Sequence, residues 1–374
     1  MTYDLLIKGG EVLDPGQNLR GKLDIAIQGA KIAAIEPDIP EGQAAQVLDA
    51  KGKLVTPGLI DLHAHVAWGF SGLSVDPDVE AAKGAVTTHV DAGTVDAGAL
   101  PGFRRFIIDA FNSRVFVFLR IPWQQHRFDA PQDPRNALQA HRGEAERAIE
   151  ENPDVVLGLK AYAGYNVAGD ATVPNMIYAR EVADRHDIPI MVHISTSPPD
   201  IDWIVSLLKE GDILSHCFTG HDQKVVDMYG KIRPAVKEAR ERGVILDIGH
   251  GGGSFSFKVA QQMLDQGEPP DVISTDLHTG SVNGPVWTLV TTLNKFLALG
   301  MSLEDVILRA TAAPAKVINR LEGLGALKVG GVADVSILRY EEGPFELVDC
   351  HRVTKKLDKG LVPDTAVCRG KVLG

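Results

Sequence analysis

From Pro57 onward the chain repeats one rhythm eight times: a short apolar run, then a longer stretch with helical spacing. Few folds accommodate such a series. An apolar run of four to eight residues bounded by turn formers reads as a strand buried on both faces. Strands that alternate with helices pair in parallel. The runs lie near 55–63, 85–91, 115–120, 155–161, 188–194, 212–216, 244–249 and 272–276. Candidate helices fall between them at 100–112, 135–151, 175–186, 200–210, 223–241 and 257–266. Eight such units across 56–330 match an α/β (β/α)8 TIM barrel, typically about 250 residues long. An open doubly wound sheet is the rival arrangement. Ser302-Leu303-Glu304-Asp305 supplies a hydroxyl cap and two acids for one further helix, and 315–321 reads as another.

Both ends of the chain lack that rhythm. Leu5-Leu6-Ile7-Lys8, Asp24-Ile25-Ala26-Ile27 and Lys31–Ile35 are short apolar stretches with glycine, proline and asparagine between them, a pattern of strands and turns. Residues 331–374 return to it after Gly330-Gly331. The expected organisation is therefore one small composite β-sandwich domain from 1–55 plus 331–374, beside a barrel from 56–330.

Charge and cysteine content exclude some functions. The 38 basic residues are outnumbered by 49 acidic ones, a net charge of −11. That imbalance disfavours a nucleic-acid partner. Cys217, Cys350 and Cys368 are too few and too odd for a disulfide framework and suit a reducing compartment. The opening MTYDLLIKGG has no basic-then-apolar leader, and no run approaches the roughly 18 apolar residues of a membrane span. The expectation is a cytoplasmic homo-oligomer that acts on a small molecule away from membranes.

Chemistry concentrates where the predicted strands end. His63-Ala64-His65 closes the first run. Alternate strand residues share a face, so both imidazoles can reach one metal ion, at the end of the barrel where active sites lie. A pair of hydrogen-bonded histidines is the plainer reading of that motif alone. Other strand ends add His193, His216 and Asp276. Four histidines and an aspartate on one rim are hard to ascribe to packing, and both residue types are zinc ligands. Lys160 ends the fourth run. It either reaches the rim and pairs with an acid, or its pKa is lowered by burial until the amine can add CO₂ and become a carbamate.

The chain resembles the amidohydrolase superfamily of metal-dependent hydrolases, in its two-metal form. Val55–His65, Ala85-Val86-Thr87-Thr88 with Asp91-Ala92-Gly93-Thr94, Ala310–Ala315 and Gly331-Val332-Ala333-Asp334 carry the resemblance. Asp247–Phe257 and Ser274–His278 resemble a deacetylase-like subgroup often labelled dihydroorotase-like. The resemblance implies two divalent ions, zinc foremost, with manganese, iron or nickel as substitutes. One ion would take His63, His65 and Asp276, and the other His193 and His216. Lys160, N6-carboxylated, would bridge them, as would the attacking hydroxide. Asp276 would be the catalytic base and then acid. The implied reaction is hydrolysis of an amide or ester, as of an N-acyl amino acid or an O-acetyl α-hydroxy acid.

Departures narrow the substrate. Dihydroorotases usually carry an arginine just after the histidine pair, whereas this chain has Val66-Ala67-Trp68-Gly69. One-metal deaminases carry a glutamate three residues after a strand-end histidine, and neither His193 nor His216 has one. A cyclic-amide hydrolase, dihydroorotase- or hydantoinase-like, is the alternative, and a non-catalytic scaffold of the same fold a remote one. Tyr162, His250 and His278 are the substrate-binding candidates: Tyr162 by its spacing from Lys160, His250 before three glycines, His278 by its spacing from Asp276. The plainer readings are an aromatic packed in a loop for Tyr162 and a flexible loop for the glycines after His250. His89 reads as structural; His126, His141, His186, His221 and His351 read as surface or loop residues, and Cys217 as a buried neighbour pointing away from the ligands.

Overall fold

Turn formers between short apolar runs dictate short strands at the start of the chain. The computed structural model describes residues 2–121 and 142–374. It begins with β1 (Tyr3–Lys8), β2 (Glu11–Asp14), β3 (Leu19–Lys22), β4 (Asp24–Gln28), β5 (Lys31–Glu36) and β6 (Ala44–Asp49). Next, β7 (Leu54–Pro57) and β8 (Leu59–Ala64) replace the single first run expected from sequence. Gly58 separates them: a Cβ there would collide with Thr87 and crowd Asp334, so the chain can pass close and change sheets.

The barrel wall runs through β8, β9 (Val86–Ala92), β10 (Arg114–Ile121), β11 (Val156–Tyr162), β12 (Ile190–His193), β13 (Ile213–Ser215) and β14 (Ile245–Asp247). They form a seven-stranded parallel sheet in sequence order. The eighth expected strand, 272–276, is not a regular strand. It closes the barrel through two parallel bridges, Asp247 to Val272 and Ala64 to Leu277. The reason is local: Asp276 sits at φ +49°, a left-handed conformation that interrupts a ladder. Alternation divides strand side chains between two apolar clusters. Phe116 and Phe118 join Met191 in one, while Val115, Val117 and Leu119 join Ile190 and Val192 in the other.

Near the C-terminus β15 (Val335–Val348), β16 (Thr354–Cys368) and β17 (Lys371–Leu373) follow. They continue the sheet of β7, β2 and β3, giving the order β17-β16-β15-β7-β2-β3, opposite a second sheet β5-β4-β1-β6. Leu5, Ile25, Val55, Val335 and Val367 form one apolar cluster across the two sheets, so both chain ends build one core.

Several expected helices are shorter than their apolar period. The 223–241 stretch is helical only over Pro234–Glu241, because Val226 and Ile232 bridge around a turn before it. Leu100–Phe103 continues into a wide π turn, Arg104–Ile108. Of 135–151, Arg142–Glu151 is helical; the rest lies outside the described residues, as do His126 and His141. Ser302 caps its helix as expected, its hydroxyl accepting from the Asp305 amide at 3.1 Å. Among the described residues no helix is long and apolar enough to cross a membrane.

Candidate metal centre

The strand ends bring the sequence-predicted side chains together. His63, His216 and Asp276 can present ligand atoms that all lie within 4.8 Å of one another. His65 Nε2 is 3.1 Å from Asp276 Oδ1, and His63 Nε2 is 3.4 Å from the same oxygen. Lys160 Nζ lies 3.1 Å from His63 Nε2. The His193 ring packs edge-on against His216, with centroids 4.3 Å apart. The tightest trio thus draws His216, expected at the second ion, toward His63 and Asp276.

Three of the imidazoles are fixed from behind. His63 Nδ1 lies 2.6 Å from Ser215 Oγ, and that hydroxyl donates to Asp247 Oδ2 at 2.6 Å. His65 Nδ1 bonds Thr94 Oγ1 at 2.7 Å, and His216 Nδ1 donates to the Gly249 carbonyl at 2.6 Å. Those bonds leave the Nε2 atoms facing inward, the tautomer a metal ligand needs. The buried Nε2 atoms of His193 and His216 find no hydrogen-bond partner among the described residues. Buried polar atoms are seldom left so, and a cation would satisfy both.

Electrostatics agree with that donor set. Burial pulls His216 down to about 4, and burial with nearby positive charge holds His63 and His193 well below the usual histidine range. Burial pushes Asp276 up, but His63, His65 and His216 outweigh it and hold the carboxyl well below the usual range. Burial lowers Lys160 to about 8 against the attraction of Asp276, Asp247 and Asp91. These are neutral imidazoles, an ionised carboxylate and an easily neutralised amine, the forms in which the groups bind metal.

The amidohydrolase family model matches residues 54–373. A deacetylase of Agrobacterium fabrum is 34% identical over 352 residues, 92% of this chain and 85% of that protein. The chain belongs to the amidohydrolase family. It is a hydrolase enzyme of that family. A deacetylase of Enterococcus faecalis is 32% identical over 376 residues, 100% of this chain and 99% of the relative. Among solved structures, an adenine deaminase is similar at TM-score 0.89 and 32% identity, covering 99% of both chains. A dihydroorotase is similar at TM-score 0.88 and 30% identity, covering 99% of this chain and 97% of that one.

In this amidohydrolase the three substrate-binding candidates are placed differently from one another. Tyr162 turns its hydroxyl onto the Gly93 carbonyl at 3.2 Å, with its ring 5.5 Å from His193. That bond occupies the donor expected to meet substrate. His250 is fully buried, stacked on Phe255 and 2.6 Å from Lys295 Nζ, so it does not open onto the mouth. The glycines after it suggested an open loop, but the ring turns inward where Lys295 offers a donor. His278 is half-buried, 6.2 Å from the His65 ring, and its Nδ1 accepts from the Gly280 amide at 3.0 Å. His89 is buried, and burial lowers it to about 4. Cys217 is buried, which raises its thiol, and only its backbone amide reaches Asp247.

Buried carboxylates that the sequence does not single out support the ligands. Asp247 accepts from Ser215 and, at 2.5 Å, from Ser274; burial raises it to about 6. Asp61 accepts from the Thr275 amide at 2.9 Å and from its hydroxyl, and burial raises it to about 7. Asp91 accepts from the Val66 amide at 3.0 Å and the Thr94 amide at 2.9 Å. A signal existed: Asp61 precedes His63 at the spacing that joins His63 to His65. The terminal strands contribute as well. Between β15 and β16, Asp349 Oδ2 accepts from the Phe257 amide at 2.9 Å, and Cys350 Sγ lies 3.5 Å from the Gly251 carbonyl.

Proposed function

We propose that the enzyme releases an acyl group, acetyl first, from an amide or ester of a small acidic molecule, using two divalent ions. His63, His65, Lys160, His193, His216 and Asp276 would hold the ions, with zinc favoured by so many imidazoles. The observation that carries this reading is the pair of buried, unpartnered Nε2 atoms on His193 and His216 beside an ionised Asp276. When bound, such ions lower the pKa of water from 15.7 to about 7 and polarise a carbonyl.

The protein's own groups do the rest. Asp276 Oδ1, held between His63 and His65, takes the proton of the attacking water and returns it to the departing nitrogen or oxygen. Lys160, brought to about 8, has a neutral fraction that can add CO₂ and release a proton, and the resulting carbamate is the anion a site crowded with imidazoles favours. Ser215 and Asp247 hold His63, and Thr94 holds His65, in ligand orientation. In this reading the barrel of 56–330 carries the chemistry, and the domain of 1–55 plus 331–374 braces it.

The deacetylases align along nearly the whole chain, which supports acetyl as the acyl group. The dihydroorotase likeness favours a cyclic amide as the second reading. Three free cysteines fit a reducing cytoplasm, and exposed Trp68, Phe106, Met228 and Tyr229 offer apolar surface for a homo-oligomer. The test is elemental analysis of pure protein with a hydrolysis screen of N-acetyl amino acids, O-acetyl α-hydroxy acids, dihydroorotate and hydantoins. About two ions per chain with acetate release is the expected result. Ring opening alone would move the assignment to cyclic amides. Metal-free protein without turnover would overturn it.

A further inference from the structure

Helix Leu289–Leu297 buries a lysine that the mechanism above does not use. Lys295 Nζ reaches the Pro285 carbonyl at 2.8 Å and His250 Nε2 at 2.6 Å. The other ring nitrogen, His250 Nδ1, lies 2.9 Å from the Gly251 carbonyl. A carbonyl can only accept, so Nδ1 carries the proton, Nε2 is bare, and Lys295 donates to it. Burial and the adjacent Lys295 hold His250 well below the usual histidine range, which keeps the ring neutral as this arrangement requires. Stacking on Phe255, with centroids 4.7 Å apart, fixes the ring plane.

The Gly251 peptide is where this chain of donors ends, and it abuts the site. The Gly251 amide donates to the Thr275 carbonyl at 2.7 Å. Its φ is +54°, and a Cβ would overlap Asp276 Oδ2, so only glycine brings the backbone this close. Asp276 Oδ1 faces His63 and His65 on the other side. The Gly251 backbone is thus a wall behind one carboxylate oxygen while two imidazoles face the other.

We propose that Lys295 and His250 are positioning residues: through the Gly251 carbonyl they seat the turn 249–253 against Asp276 and set the orientation of its carboxylate. The proposal rests on the reading of Asp276 as the group that moves the proton. It concerns orientation, so it acts on the rate of the chemical step rather than on substrate capture.

Two substitutions of one ring separate the relay from mere packing. His250→Asn keeps a donor near the place of Nδ1, whereas His250→Gln keeps a polar group only near Nε2. On whichever acetylated acid the screen identifies, His250→Gln and Lys295→Met should each lower kcat about thirtyfold with KM within about twofold, and His250→Asn by less than about fivefold. Bound metal should stay at the parent level in all three. Equal losses in the Asn and Gln variants, or losses confined to KM, would overturn the proposal. Nitrogen-15 NMR of histidine-labelled protein gives a readout independent of turnover. The His250 signal, assigned by its absence in His250→Gln, should show the proton on Nδ1 in the parent and a mixture of tautomers in Lys295→Met. A proton on Nε2 in the parent counts against the relay. Nδ1 protonation in a parent that turns over nothing in the screen supports the relay and counts against the acyl-release reading.

Discussion

Asp212 and Asp276 are acids at opposite ends of the barrel wall, and they are treated in opposite ways. Asp212 accepts from the Ile190 amide at 2.8 Å, the Lys209 amide at 2.7 Å and Arg180 Nη1 at 2.5 Å. It lines a cavity of about 870 Å³ with Leu157, Pro189, Ile245 and Arg309, at the N-terminal ends of the strands. Asp276, at the C-terminal ends, faces imidazoles whose own partners are incomplete. That cavity lies away from the candidate centre. In a barrel the N-terminal face serves stability and the C-terminal face serves reaction. Here Asp212 is met by three donors, while the imidazoles near Asp276 keep two Nε2 atoms without a partner among the described residues.

Substitutions can break that contrast from either end. Asp276→Asn should lower kcat by roughly a thousandfold, the scale of losing a general acid–base group, while leaving the melting curve near the parent's. Steady-state kinetics with circular dichroism would check it, and retained turnover would remove Asp276 from the mechanism. Asp212→Ala should do the reverse. Losing the acceptor of a buried ion pair costs about 3 kcal/mol, read as a lower Tm, with kcat within about twofold.

His89 sharpens the comparison because it is a buried imidazole remote from the rim set. Its folded pKa of about 4 lies below the unfolded value near 6.5. Between those values the unfolded chain binds the extra proton, so the contribution is intact above pH 6.5 and erodes as pH falls toward 4. At pH 5 the cost is about 2 kcal/mol. His89→Leu should remove that part of the acid slope in urea titrations, and saturating zinc should leave the His89 part unchanged in the parent. The smallest effect is expected behind the ligands. Ser215→Ala should weaken metal binding roughly tenfold, measured by competition with a chelator.

Much of this was legible in the residues themselves. Strand ends announced His63, His193 and His216 because apolar runs stop there, and Lys160 stood out as a cation closing one. The eighth strand reads as regular in sequence because nothing in Ser274-Thr275-Asp276 signals a left-handed aspartate. His250 reads as a substrate-binding candidate because three glycines follow it, while its partner Lys295 sits 45 residues away on a helix. Asp247 and Asp61 are not legible as supports in the sequence, because a buried acid is recognisable only once the hydroxyls that satisfy it are in place. Pairings across such sequence distances belong to the tertiary structure and leave no local pattern.

The turn between β15 and β16 touches the rim through Asp349 and Cys350. These residues leave the ribosome after every ligand of the candidate centre has been made. A nascent chain that stops short of residue 349 would hold all six side chains yet lack the brace on Phe257 and the Gly251 turn. Synthesis order thus acts as a timer: the final geometry of the rim waits for the last strands.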